Sequence, residues 1–297
     1  MATALLAATA VRNAPGQTPP ALDPALSDSF KVHFIARAKT PPKLDGRLDD
    51  AVWKDAAVLD DFGPASIGSR DLPWPKTEVR YLWDDTYLYV AVTAHEDTAE
   101  NMDRFRRAIA NRAVSHIWRD CLELHIDGNN DRHTRFQAWF NGTADKQMAW
   151  YYDFGWGLLN DWVYGLSADW NYAAMIGDTF WQTEGRIALA HIQIQPRAGY
   201  VFGMNPCRFR FYKAAVDAKG ARVEAISQFL TWSTQGESHH DVRLYGKCIL
   251  VDRLPATDAE GLRLAYPDLD RRTIRVQTDA GFAVFDRGKT TAQSYLD

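Results

Sequence analysis

The chain has 297 residues, long enough for one large β domain or two ordinary ones with a sizeable core. With 34 Lys and Arg against 38 Asp and Glu, its net charge is -4, which leaves no basic footprint for a nucleic-acid backbone or an anionic membrane. The 11 Trp side chains are the compositional excess to explain, because each is large, flat and carries an N–H that needs a partner when buried.

Residues 1–30 read as a leader and linker. ATALLAATAV at 2–11 has the apolar character of a secretory signal core, and the following run is rich in Pro and Ala. An extracellular or periplasmic location is therefore expected, and no window approaches the roughly 18 apolar residues of a membrane helix. From Val32 the pattern becomes short alternating or apolar runs broken by turn residues: VHFIA, TEVRYLWD, YLYVAVTAH, CLELHID, RFQAWFNG, WQTEGRIAL, YVFGMNPCRFRFY, ISQFLTWS and GKCILVD. These predict an all-β, antiparallel β-sandwich over 31–253. Helical periodicity is confined to Glu100–Ala113 and a short turn at Asp49–Ala57. An insert at 146–172 crowds Trp150, Trp156, Trp162 and Trp170 with four Tyr and reads as a lid or a platform. TIRVQTDAGFAVFDRG, in the extension at 254–297, predicts a C-terminal hairpin docked on the sandwich. Cys121, Cys207 and Cys248 sit in apolar or strand contexts and read as buried free thiols.

Several blocks in order carry a family resemblance: PPKLDGRLDDAVWKDA (41–56), TEVRYLWDDTYLYVAVTAHED (77–97), IWRDCLELHIDGNND (117–131), FGMNPCR (202–208) and TWSTQGESHHDVRLYGKCIL (231–250). Together they resemble family 9 carbohydrate-binding modules and their DOMON-like sandwich relatives. The resemblance implies a calcium-containing jelly-roll sandwich that holds sugars between two Trp walls. It places Trp118 at the first wall and Glu123 at a carboxylate that binds sugar hydroxyls, while Gln137 stands about where the family can place an Arg. The second wall falls at His239, where a sugar-binding member has Trp. A Trp of the insert could take that role.

The residues themselves point the same way. Alternation puts Glu123, His125 and Asp127 on one strand face and Leu122, Leu124 and Ile126 on the other. Arg135, Gln137 and Trp139 can oppose the polar set on the next strand, and Arg208 and Arg210 repeat the alternation later. Such a mixture suits a polyhydroxylated oligo- or polysaccharide, and the two arginines would suit an acidic one. Asp127, Asn129, Asn130 and Asp131 cluster hard oxygen donors compatible with calcium, or equally form an Asx-rich turn. His239 and His240 are adjacent, and no His-x-x-x-His spacing completes a zinc or iron site, so the sequence argues against a transition metal.

Three functions follow from this reading. The first is a carbohydrate-binding protein. The second is a polysaccharide lyase or glycoside hydrolase on the same sandwich, with His125, His239 or His240 as base, Tyr151 or Tyr152 as acid, and a further carboxylate such as Asp153. The third is a haem-binding electron-transfer domain ligated through Met102, Met148, Met175 or Met204.

Overall fold

The computed structural model describes residues 29–68, 75–96, 102, 103, 106, 120–132, 134–142, 148–153, 162–164, 170–212, 226–235, 238–256, 260, 273–278 and 281–285. Residues 1–28, most of the leader and linker expected at 1–30, Trp118 and most of the expected helix at 100–113 lie outside them. The short turn expected near residue 50 is a 3-10 helix at Ala51–Asp55.

Among the described residues the β-branched and aromatic runs form sixteen strands: β1 (Ser29–Arg37), β2 (Val58–Leu59), β3 (Gly63–Gly68), β4 (Thr77–Trp83), β5 (Tyr87–His95), β6 (Cys121–Asp127), β7 (Thr134–Asn141), β8 (Met148–Asp153), β9 (Trp162–Tyr164), β10 (Trp170–Ile176), β11 (Phe180–Ala188), β12 (Val201–Tyr212), β13 (Ile226–Thr231), β14 (Gly246–Val251), β15 (Thr273–Thr278) and β16 (Gly281–Phe285). The main path runs β10-β11-β5-β4-β1-β14-β12-β6-β7-β8-β9, with β13 beside β12 and β3 beside β13. Its two wings fold over one core. Val79, Tyr81, Val90, Val92 and Trp181 from one wing meet Leu122, Leu124, Ile126, Phe136, Phe140, Phe202 and Met204 from the other. A Cβ on Gly185 of β11 would lie 2.5 Å from the Phe140 ring of β7, which shows how closely the layers approach. Each such fully buried side chain contributes roughly 1.5–3 kcal/mol. The fold is thus the expected all-β sandwich.

One feature departs from a purely antiparallel arrangement. β1 pairs in parallel with β4, β14 and β15, whereas the other ladders are antiparallel. Parallel neighbours need long crossovers rather than hairpins, so no local turn signal announces them. β15 and β16 form an antiparallel hairpin, with Thr278 opposite Gly281, and β15 docks it on β1. The aromatic insert contributes strands to both ends of the sheet path. Its β8 and β9 extend the sheet beyond β7, and its last strand, β10, pairs with β11 at the opposite edge.

Trp53, Trp83, Trp181 and Trp232 are all buried, which accounts structurally for a third of the Trp excess. Trp53 lies in the KLDGRLDDAVW block, whose purpose is now visible. Its indole N–H donates to Glu184 Oε1 at 2.7 Å, while the amides of Asp45 and Gly46 donate to Glu184 Oε2 at 3.2 and 3.1 Å. Gly46 has φ 82°, and a Cβ there would lie 2.6 Å from the backbone carbon of Ala174. Gly46→Ala combines left-handed strain with a backbone clash and is expected to cost about 2–3 kcal/mol. A lowered urea midpoint at unchanged slope is the measurement, and an unchanged midpoint would contradict this account of the loop.

Candidate functional site

Cross-strand register decides which side chains share a face. Glu123 pairs with Cys207 of β12 and Trp139 of β7, and His125 pairs with Asn205 and Gln137. Phe209 pairs with Cys121 on one side and Phe229 on the other. The face of these strands opposite the main core therefore carries Phe229, Asn205, Cys207, Phe209, Glu123, His125, Gln137, Trp139 and Arg135, all of them buried except the half-buried Phe229. Trp139 donates its indole N–H to Glu123 Oε1 at 2.9 Å, and Gln137 Nε2 approaches Glu123 Oε2 at 3.4 Å. Glu123, Gln137 and Trp139 are all buried, so the carboxylate is fixed by neighbours rather than by solvent.

Arg208 and Arg210 do not join this face. Arg208 is paired with Leu122 and Leu230, one residue out of phase with Glu123, so both guanidiniums enter the sandwich interior. There Arg208 donates to Asp120 Oδ2 at 2.8 Å and Glu96 Oε1 at 2.6 Å, and Arg210 donates to Glu96 Oε2 and Gln228 Oε1, each at 2.6 Å. Their charge is neutralised at the mouth of the core. This corrects the expectation that they contact a ligand. A one-residue register shift exchanges the two faces of a strand, and no turn signal fixed that register in the sequence.

His125 faces His239 and His240, whose ring centroids lie 5.7 and 5.4 Å away, and those two rings are themselves 3.9 Å apart. The fold, rather than sequence spacing, assembles this group. It comes from β6 and from the turn that precedes the 3-10 segment Val242–Leu244. The turn is anchored from three sides: Asn205 Nδ2 and Tyr245 Oη donate to the His239 carbonyl, and Arg135 Nη1 donates to that of His240. His125 is 0% exposed, and neither of its ring nitrogens has a hydrogen-bond partner among the described residues. Its Nε2 lies 3.4 Å from Glu123 Oε2 without hydrogen-bond geometry. His239 Nδ1 is likewise buried and unpartnered. Each buried orphan of this kind costs about 1–3 kcal/mol. Burial, reinforced by the nearby Arg135 charge, holds the His125 and His240 rings well below the usual imidazole range. Burial likewise pushes His239 down to about 3 despite the Glu123 carboxylate. All three are neutral at physiological pH. Glu123 and the three histidines bring their ligand atoms within 4.8 Å of one another, a grouping that no local spacing announces.

The turn after β6 spends its oxygens on itself. Asp127 accepts from the amides of Asp131 and Arg132 at 3.1 and 2.9 Å, and Asn129 Nδ2 donates to Asp131 Oδ2 at 2.8 Å. Asn130 adopts φ 57° as the turn closes. Calcium asks for six to eight oxygens converging at one point. With N–H donors on both Asp127 oxygens and Asn129 bonded to Asp131, the segment Asp127, Asn129, Asn130 and Asp131 forms an Asx-rich turn.

Trp118 lies outside the described residues. Tyr151, Tyr152 and Asp153 contribute backbone to β8, and their side chains lie outside the description. Met102 and Met204 pack in the hydrophobic core, not at the histidines. Sequence reasoning missed Asn205, Phe229 and Tyr245, whose only prior signal was a place in strand patterns. Phe229 is half-buried, stacks on Phe209 at 4.2 Å and lies 5.0 Å from His239. Cys121, Cys207 and Cys248 are free and buried, as expected.

The fold is a β-sandwich with a largely buried polar face that joins a fixed carboxylate to amide, indole and imidazole groups. Residues 44–253 match the profile of the carbohydrate family 9 binding domain-like family, and the chain belongs to it. It is similar to two solved structures of a family 9 carbohydrate binding module from Caldicellulosiruptor kristjanssonii. The one in complex with cellotriose has 16% identity, covers 76% of this chain and 95% of that chain, and gives a TM-score of 0.46. The one in complex with glucose has 17% identity, covers 76% and 99%, and gives 0.44. No curated protein matched the chain. Among the described residues no helix is long and apolar enough to cross a membrane.

Proposed function

We propose that the protein binds a neutral oligo- or polysaccharide on the face built by β13, β12, β6 and β7, in an extracellular or periplasmic setting. The family match over 44–253 carries this reading. The apolar run at 2–11 supports the setting. Glu123 is the hydroxyl acceptor, oriented by Trp139 and Gln137. The half-buried rings of Phe229 and His240 offer edges and faces to sugar C–H groups beside it. A neutral ligand is favoured because Arg208 and Arg210, which had suggested a uronate, are engaged by Glu96 and Asp120.

The test is retention of the protein on immobilised neutral and acidic polysaccharides, with the same mixtures assayed for new reducing ends and for absorbance from unsaturated products. Retention by neutral polymers without products is expected. Preferential retention by uronate polymers would overturn the neutral assignment, and product formation would replace a binding protein with a lyase or hydrolase.

A further inference from the structure

We propose that Glu123, His125, His239 and His240 form a binding site for a first-row divalent transition metal of the zinc class. The donor set is three imidazole nitrogens and one carboxylate oxygen, which completes a four-coordinate shell of borderline ligands and is wrong for calcium or magnesium. The ligand atoms already lie within 4.8 Å of one another. Zinc bonds of about 2.0–2.1 Å place tetrahedral ligands roughly 3.3 Å apart, so the widest pair has to contract by about 1.5 Å, within reach of small side-chain rotations.

The second, independent observation is the state of the rings. His125 is wholly enclosed with both nitrogens unpartnered, and the buried Nδ1 of His239 is unpartnered as well. A buried imidazole without a hydrogen bond is a group waiting for an acceptor, a donor or a Lewis acid, and here the unpartnered His125 Nε2 lies 3.4 Å from Glu123 Oε2, with His239 Nε2 3.9 Å from the same oxygen. The outer partners are those a metal site needs: Trp139 fixes Glu123, while Asn205, Tyr245 and Arg135 fix the backbone that carries His239 and His240. Arg135 is the cation nearest the cluster and weakens attraction for a metal, and Glu123 supplies the opposing charge. His240 is the one member of the group that is only half-buried.

This inference goes beyond sugar binding but shares Glu123 with it, so the metal titration is read without sugar. Occupancy would pin the turn at 238–241 to β6 and so fix the aromatic edge beside Glu123. The experiment uses the full chain, without a histidine tag and stripped by chelator, titrated with Zn(II) alone by calorimetry and by competition with a chromogenic chelator. Co(II) is then substituted to read ligand-field bands. One metal per chain and intense tetrahedral Co(II) bands are expected. His240→Ala, at the rim, should weaken Zn(II) binding at least about 100-fold, and Trp139→Phe roughly 10-fold through loss of the bond to Glu123. The distant His191→Ala should bind as wild type. Circular dichroism of each stripped variant separates lost ligation from lost folding. No saturable uptake by the wild type, or equal affinities for wild type, folded His240→Ala and folded His125→Ala, would overturn the proposal.

Discussion

Glu96→Ala is expected to destabilise the protein by about 3–5 kcal/mol, the cost of stripping one partner from a buried charge cluster. Glu96 bridges two guanidiniums, with Arg208 Nη2 and Arg210 Nη2 each 2.6 Å from one of its oxygens. Arg208 is 0% exposed and Arg210 2%, so neither can turn to water when the carboxylate is removed. Arg208 retains Asp120, Thr77 and the His95 carbonyl, and Arg210 retains Gln228. The cluster ties the end of β5 and the start of β4 to β12 and β6, so its loss opens the sandwich at that end. Urea denaturation measures the effect. Glu96→Ala/Arg210→Met should be less destabilised than Glu96→Ala alone, since it removes the uncompensated charge with its partner. A midpoint shift worth less than about 1 kcal/mol for Glu96→Ala would show that the cluster does not close the sandwich.

Glu184→Ala is expected to cost about 3 kcal/mol, because it leaves the Trp53 indole N–H and the amides of Asp45 and Gly46 without their acceptor. Its pH dependence is the sharper signature. Burial pushes the Glu184 carboxyl up to about 7, with the three N–H donors pulling the other way. A carboxyl raised on folding binds its proton more tightly in the native state, so its contribution is fully present below the unfolded value, near 4.3, and is lost as pH rises through about 7. Asp127, also pushed up to about 7 by burial, adds a fall of the same sign. Wild-type stability should therefore decline between about pH 4.5 and 7.5, and its margin over Glu184→Ala, which keeps Asp127, should narrow as pH rises through about 7. A gap that widens with pH would mean that Glu184 is ionised throughout.

The sandwich was legible because its strands are marked twice, by period-two alternation and by turn residues, and the family blocks lie in order along the chain. The parity of Leu122, Leu124 and Ile126 against Glu123 and His125 was also legible, since it needs only one strand. What lay beyond the sequence was every relation between strands. Whether Arg208 lies beside Glu123 or beside Leu122 depends on the β6–β12 register, and one residue turned a ligand-binding arginine into an interior ion pair. The grouping of His125 with His239 and His240 joins β6 to a turn more than a hundred residues later, and local spacing rules see only the adjacent pair. Glu184 was invisible for the same reason: an acid within a β-strand run acquires its purpose from a loop near residue 46.

The central claim is that Glu123 sits at the sugar-binding centre of a family 9-like sandwich, and calorimetric titration of wild type and Glu123→Ala with neutral oligosaccharides tests it most directly. The account predicts saturable binding by wild type that falls at least about tenfold, roughly 1.4 kcal/mol, in a folded Glu123→Ala variant, through loss of a charged hydrogen-bond acceptor. Equal affinities for the two proteins, or no binding of any neutral oligosaccharide by wild type, would contradict it.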